Sequence, residues 1–295
     1  MHVPDLSLDH AALVIHDLEA ARIAFERLGF RLSPRSMHAG ALTPGGPVEP
    51  WGSGNHCAMF RNGYFELLGL VDPDLHSTAR TMLQKYEGLH IVAMDCPSAV
   101  AAYAHLQDAQ VAAPPPLTLE RDAPFGPLND QVRRARFRNI NLDVQAYPEA
   151  RFIVIEHGTR DVLWQPHLLQ HPNGANALAA MYFCPDDVPA SLQRFEPILG
   201  KPVRHGDAYK FELERGAFWF LDAEAMRRYC PVLDGAVHRV SAACIGVDSL
   251  DTLQAYLSDR GIDTHRTPTL DTGAPSIWVH PSQASHGALQ FIQSK

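Results

Sequence analysis

Apolar and polar positions in LDHAALVIHDLEAARIAFERLGF (residues 8–30) follow two periods in succession. HAALVI reads as a strand, and from Asp17 onward Leu18, Ala21, Phe25 and Leu28 fall on one helical face before a turn at Gly29. Asp17 stands where its carboxylate can accept the first free N–H groups of that helix. Two apolar runs, NHCAMF and YFELLGL, then flank an Asn-Gly pair, which predicts a hairpin over 55–70 turning at Asn62-Gly63. The unit is strand, helix, loop, hairpin.

The same order returns further along. Residues 174–200 give strand, Asp187, helix and Gly200, and YKFELERGAFWFLD (209–222) gives a hairpin turning at Arg215-Gly216. Placing Asp17 on Asp187 superimposes Phe25 on Phe195. Two weaker copies, 89–111 and 240–262, align with Asp95 on Asp248 and Tyr103 on Tyr256. Their closing strands are ARFIVIEH (150–157) and GALQFIQ (287–293). Four similar units in two pairs are expected. The stretch 112–148, with Pro114-Pro115-Pro116 and several arginines, reads as one long loop. Residues 158–175 read as an ordered linker, since Trp164, Leu168 and Leu169 offer apolar surface to bury.

Composition adds exclusions. The chain has 295 residues, 46% of them hydrophobic, and a net charge of −8, with no basic cluster beyond RRARFR (133–138). A nucleic-acid or anionic-membrane role is not expected, and no apolar run reaches the roughly 18–20 residues of a membrane span. The first residues lack the layout of a signal peptide. The five cysteines are widely spaced, form no CxxC pair, and read as small buried hydrophobes of a cytoplasmic protein.

LDHAALVIHDLEAARIAFERLGF, GNHCAMFRNGYFELL and HIVAMD together resemble the vicinal oxygen chelate superfamily, in its glyoxalase-like branch. The resemblance implies an α+β fold of four βαβββ modules paired into two half-open barrels. The expected division is 1–158 for the first pair, 159–172 for the linker and 173–295 for the second pair. It further implies a divalent metal (Fe, Zn, Ni, Mn or Co), held by a His from the first strand of a module and a Glu from the last. Those positions are His10, Glu66 and His90. In the third module His10 becomes Ala180 and Glu66 becomes Trp219; in the fourth, His90 becomes Ala243 and the closing position becomes Gln290. The first pair is therefore expected to be catalytic and the second structural.

Turning at Asn62-Gly63, the first hairpin places Glu66 opposite Met59, with Asn55 and Cys57 on the same face and His56 on the other. A carboxylate facing a barrel interior is costly unless paired or metal-bound. The fourth ligand is open: one register puts Ile153 at the closing position, and a one-residue slip puts Glu156 inward. Catalytic candidates are Glu66 and Glu156; Asn55, His56, Met59 and His157 are candidates for the substrate pocket.

The resemblance implies a glyoxalase-like lyase or isomerase acting on a small molecule whose adjacent oxygens chelate the metal. Two alternatives stay open. One is an extradiol-type dioxygenase using His10, His90 and Glu156; the other is a metal-free binding protein of the bleomycin-resistance type. The expected partners are a small-molecule substrate and, as an open alternative to a monomer, a second copy of the chain.

Overall fold

A computed structural model describes residues 5–41, 46–233 and 237–294. The first eight strands are β1 (Ser7–Ile15), β2 (Ser36–Ala41), β3 (Val48–Met59), β4 (Tyr64–Leu70), β5 (Gly88–Asp95), β6 (Leu117–Phe125), β7 (Gln131–Asn141) and β8 (Arg151–His157). They form one sheet in the order β2-β3-β4-β1-β5-β8-β7-β6. The second eight are β9 (Ala175–Phe183), β10 (Val203–His205), β11 (Ala208–Glu212), β12 (Ala217–Leu221), β13 (Val240–Val247), β14 (Thr264–Pro268), β15 (Pro275–Val279) and β16 (Ala288–Gln293). Their order, β10-β11-β12-β9-β13-β16-β15-β14, repeats the first. This is the α+β arrangement of paired βαβββ modules. The first sheet curls nearly shut: Arg121 on β6 donates to Ser36 Oγ on β2 at 2.9 Å, joining its two edges.

Side-chain caps start the five longer helices. Asp17 accepts from Ala20 N at 2.9 Å and opens α1 (Leu18–Arg27), whose Leu18, Ala21 and Phe25 are buried as the stripe predicts. Between the hairpin and β5 comes the short α2 (Ala79–Leu83), and Ser98 caps α3 (Ala99–Asp108). The linker carries α4 (Arg160–Leu163), and Leu168 is buried behind it. In the second half Asp187 caps α5 (Val188–Leu199), Asp222 caps α6 (Ala223–Tyr229) and Ser249 caps α7 (Leu250–Ser258).

The largest core joins the two halves. Phe152 of β8 packs on Phe183, Phe195 and Phe218 with ring centroids 5.0–6.2 Å apart, and Phe30 reaches Phe291. Each first hairpin also extends the opposite half's first strand. Leu178 N donates to Asn62 O at 2.8 Å, and Leu8 N donates to Arg215 O at 2.7 Å. Gly63 must be glycine, because its φ is +78° and a Cβ there would lie 2.6 Å from the Asp9 carbonyl oxygen.

Three expectations are corrected. Glu66 pairs with Cys57, not Met59, because the turn runs from Phe60 to Gly63 and starts one residue earlier than the Asn-Gly pair suggests. A shift of two residues leaves the face unchanged, so Asn55, Cys57 and Met59 still share it with Glu66. Residues 112–148 are not a loop: 117–125 and 131–141 are the long strands β6 and β7 that close the first barrel. Finally, His10 pairs with Ala93 and Ala180 with Cys244, while Ser98 and Ser249 cap matching helices. Asp95 thus corresponds to Gly246 and not Asp248, and His90 corresponds to Ser241 and not Ala243.

Candidate functional site

The concave face of the first sheet carries the polar side chains. β1 runs parallel to β4 with His10 beside Tyr64 and Ala12 beside Glu66, so His10 and Glu66 are diagonal neighbours on that face. His10 stacks on Tyr64 with centroids 4.4 Å apart. The same positions of the second sheet are Ala180 and Trp219, since Ala217 pairs with Ala180 and Trp219 with Tyr182. There the concave face is filled by Trp219, Trp278, Tyr182 and small residues.

Glu66 is buried and sits in a polar cage. Asn55 Nδ2 donates to Glu66 Oε1, and His38 Nε2 lies 4.0 Å from the same oxygen. His38, on β2, has its Nδ1 3.1 Å from Ser53 Oγ. Burial pushes the His38 imidazole below its ordinary value against the pull of Glu66, which favours the neutral ring near neutral pH. Arg121 and Arg151 add positive charge close enough for His38 to feel both. Burial and the charge of Glu66 push the Cys57 thiol far up, and burial with Asp9 and Glu66 does the same to the Tyr64 phenol. Neither is an activated nucleophile. Asn55, Cys57, Met59, Tyr64 and Arg121 line a cavity of about 60 Å³, roofed by Leu163 and Leu168 of the linker.

Asp9 is the residue that reading by strand period does not find. A bulge at Leu8–His10 breaks the alternation of β1. Asp9 Oδ2 then accepts from His10 Nδ1 at 2.7 Å, and Asp9 Oδ1 from His157 Nε2 at 3.1 Å. Burial alone would raise the Asp9 carboxyl, but its hydrogen bonds with His10 and His157 hold it well below the usual carboxylate range. Asp95 nearby is raised, by burial and by the charge of Asp9, with Arg160 and Arg215 3.9 and 3.4 Å away. Among the described residues, Asp9, Asp95 and His157 are the one group of three whose ligand atoms all lie within 4.8 Å of each other.

The other predicted positions lie apart. His90 is the unpaired residue of a second bulge, between the Ala12–Ile91 and Leu13–Leu89 pairs. Its ring stacks on Tyr86 at 3.9 Å, and Nε2 is 2.9 Å from Tyr86 O. Counted from the helix caps, Ile91 stands where His10 stands in the first module, and Ile153, paired with Ala93, stands where Glu66 does. Glu156 is on the helix side of β8, accepting from Ala99 N at the start of α3 at 2.8 Å. His56 turns away from the barrel, with Nδ1 2.8 Å from Ser33 O. The structure therefore brings His10, Asn55, Met59 and Glu66 to one interior, sets His157 behind His10, and adds His38 and Asp9. Only the proximity of His38 to Glu66 in space exposes it; in sequence it sits in a Pro/Gly-rich stretch.

Residues 8–199 match the family model described as the glyoxalase-like domain. Among curated proteins none matches significantly. Solved structures share the fold. A hypothetical protein from Staphylococcus aureus aligns over 98% of this chain and 100% of its own, at 13% identity and a TM-score of 0.63. A catechol 2,3-dioxygenase aligns over 100% of this chain and 89% of its own, at 11% identity and a TM-score of 0.57. A mutant of 4-hydroxymandelate synthase from Streptomyces coelicolor covers 98% and 93%, at 11% identity and a TM-score of 0.57.

Proposed function

Since the chain belongs to the glyoxalase-like domain family, we propose that it is a metal-dependent lyase or isomerase acting, inside the first barrel, on a small substrate with adjacent oxygens. One observation carries this: a buried His10–Glu66 pair on the concave face of the first sheet, replaced by Ala180 and Trp219 in the otherwise equivalent second sheet.

The donor chemistry fits a divalent ion. His10 has Nδ1 engaged by the Asp9 carboxylate, the arrangement that orients an imidazole ligand and makes its Nε2 more basic. His38 has Nδ1 on Ser53 and Nε2 toward Glu66. His10, His38 and Glu66 are the residues that would hold the metal, two imidazoles and one carboxylate of the kind that binds Zn, Fe, Ni, Mn or Co; their ligand atoms are not gathered within 4.8 Å of one another and would have to close around the ion. When bound, the metal would polarise the two substrate oxygens.

The remaining work belongs to the chain's own groups. Glu66, steadied by Asn55, takes a proton from a substrate carbon and returns it to the neighbouring one. Arg121, which lines the same cavity, offsets negative charge that develops on the substrate oxygens. Tyr64, Met59 and the linker residues Leu163 and Leu168 exclude water. The Asp9–Asp95–His157 group is read as a support for His10, because Asp9 already holds His10 and His157 by hydrogen bonds and Asp95 has Arg160 and Arg215 within 4 Å. The alternative set of His10, His90 and Glu156 gains no support, since Glu156 serves the N-terminus of α3.

The test is proton exchange. Wild-type protein with added Mn or Zn, incubated in D2O with small α-hydroxycarbonyl acids, should exchange the carbon-bound proton, followed by NMR. Glu66→Gln should abolish the exchange. Equal exchange by the variant overturns the assignment of Glu66.

A further inference from the structure

A cleft of about 660 Å³ lies where the second half meets the start of β5 and β8, large enough for a small organic ligand. Its walls include Lys85, Tyr86, His90, Val144, Arg151 and His238. The charges there do not balance locally. Asp186 is paired with Arg239, and Glu149 is held by Arg194 and Ser191. The side chains of Lys85 and Arg151 have no hydrogen bond or ion pair among the described residues. Arg151 is largely shielded from water, and the charge of Glu66 acts on it from a distance. Burial depresses both its guanidinium and the imidazoles of His90 and His238, so the histidines are neutral near pH 7 and the free positive charge belongs to Arg151 and Lys85. A guanidinium kept from water without a partner is costly, and its planar fork matches a carboxylate. Beside it, Tyr86 is stacked between His90 and His238 at 3.9 and 3.8 Å, forming a rigid aromatic wall next to Val144.

We propose that this cleft binds a small carboxylate with an apolar or aromatic body, its carboxylate on the Arg151 fork with Lys85 beside it and its body against the Tyr86 wall. The inference stands apart from the barrel reading, since the cleft shares no lining residue with the cavity of the first barrel.

Calorimetric titration of the full chain with benzoate, with the neutral benzamide and with inorganic phosphate tests it. Binding is read without turnover, so failure of the lyase or isomerase reading leaves the result intact. Benzoate should bind saturably and benzamide should not. Arg151→Met should weaken benzoate about tenfold or more, and Arg151→Lys, which keeps the charge and loses the fork, should also weaken it. Metal content should stay the same in both variants. No saturable benzoate binding, equal binding of benzamide, tighter binding of phosphate, or undiminished benzoate affinity in Arg151→Lys would each overturn the proposal. The Lys variant also covers the case in which Arg151→Met does not fold.

Discussion

Asp9 and His10 follow one another in the chain, yet their side chains meet, with Asp9 Oδ2 2.7 Å from His10 Nδ1. In a regular strand they would point to opposite faces; the bulge at Leu8–His10 brings them together. The contact fixes the His10 ring, and a second bond from His157 closes a buried network around the carboxylate.

That network should shape the acid limb of stability. The folded pKa of Asp9 lies below its unfolded value near 4, so its contribution is complete above that pH and is lost as pH falls through the folded value. Asp9→Asn should cost about 2–4 kcal/mol at pH 7. Chemical denaturation from about pH 5 down to about pH 2 should show a shallower acid decline for the variant than for wild type.

His38 and His90 should behave differently. His38→Ala, next to Glu66, should reduce metal affinity by about 10–100-fold or more, while His90→Ala, stacked on Tyr86, should leave it unchanged. Competition with a chromogenic chelator distinguishes the two, and the opposite pattern would restore His90 as the ligand.

The second barrel should matter for folding alone. Trp219 is 3% exposed, so Trp219→Ala should destabilise by about 3–5 kcal/mol. Its metal content, measured below the unfolding transition, should equal that of wild type.

Two glycines separate backbone strain from steric conflict. Gly206 has φ +60° with nothing within 4 Å of a Cβ, and Gly206→Ala should cost about 1 kcal/mol. Gly63→Ala adds a clash with the Asp9 carbonyl oxygen to a similar φ. It should cost at least about 2 kcal/mol and disturb His10 as well. Thermal unfolding of the pair checks this.

Much of the fold is legible in the sequence because local signals agree with it. Asp17 and Asp187 cap the helices expected of them, and the His10→Ala180 and Glu66→Trp219 correspondences hold in the strand register. What escapes is irregular or depends on contacts distant in the chain. Asp9 and His90 sit at bulges, where period-two reading misassigns the face. The β6–β7 pair hides because its outer residues are arginines and acids and three prolines precede it. His38 has no periodic context, and its meaning comes from β2 folding across Glu66.

The central claim is a metal-dependent site in the first barrel, and metal stoichiometry of the purified protein tests it most directly. Elemental analysis should give close to one divalent ion per wild-type chain after loading and desalting, and far less for His10→Ala, with both proteins folded by circular dichroism. A wild type that retains no metal, or a His10→Ala variant that retains as much, would contradict the account.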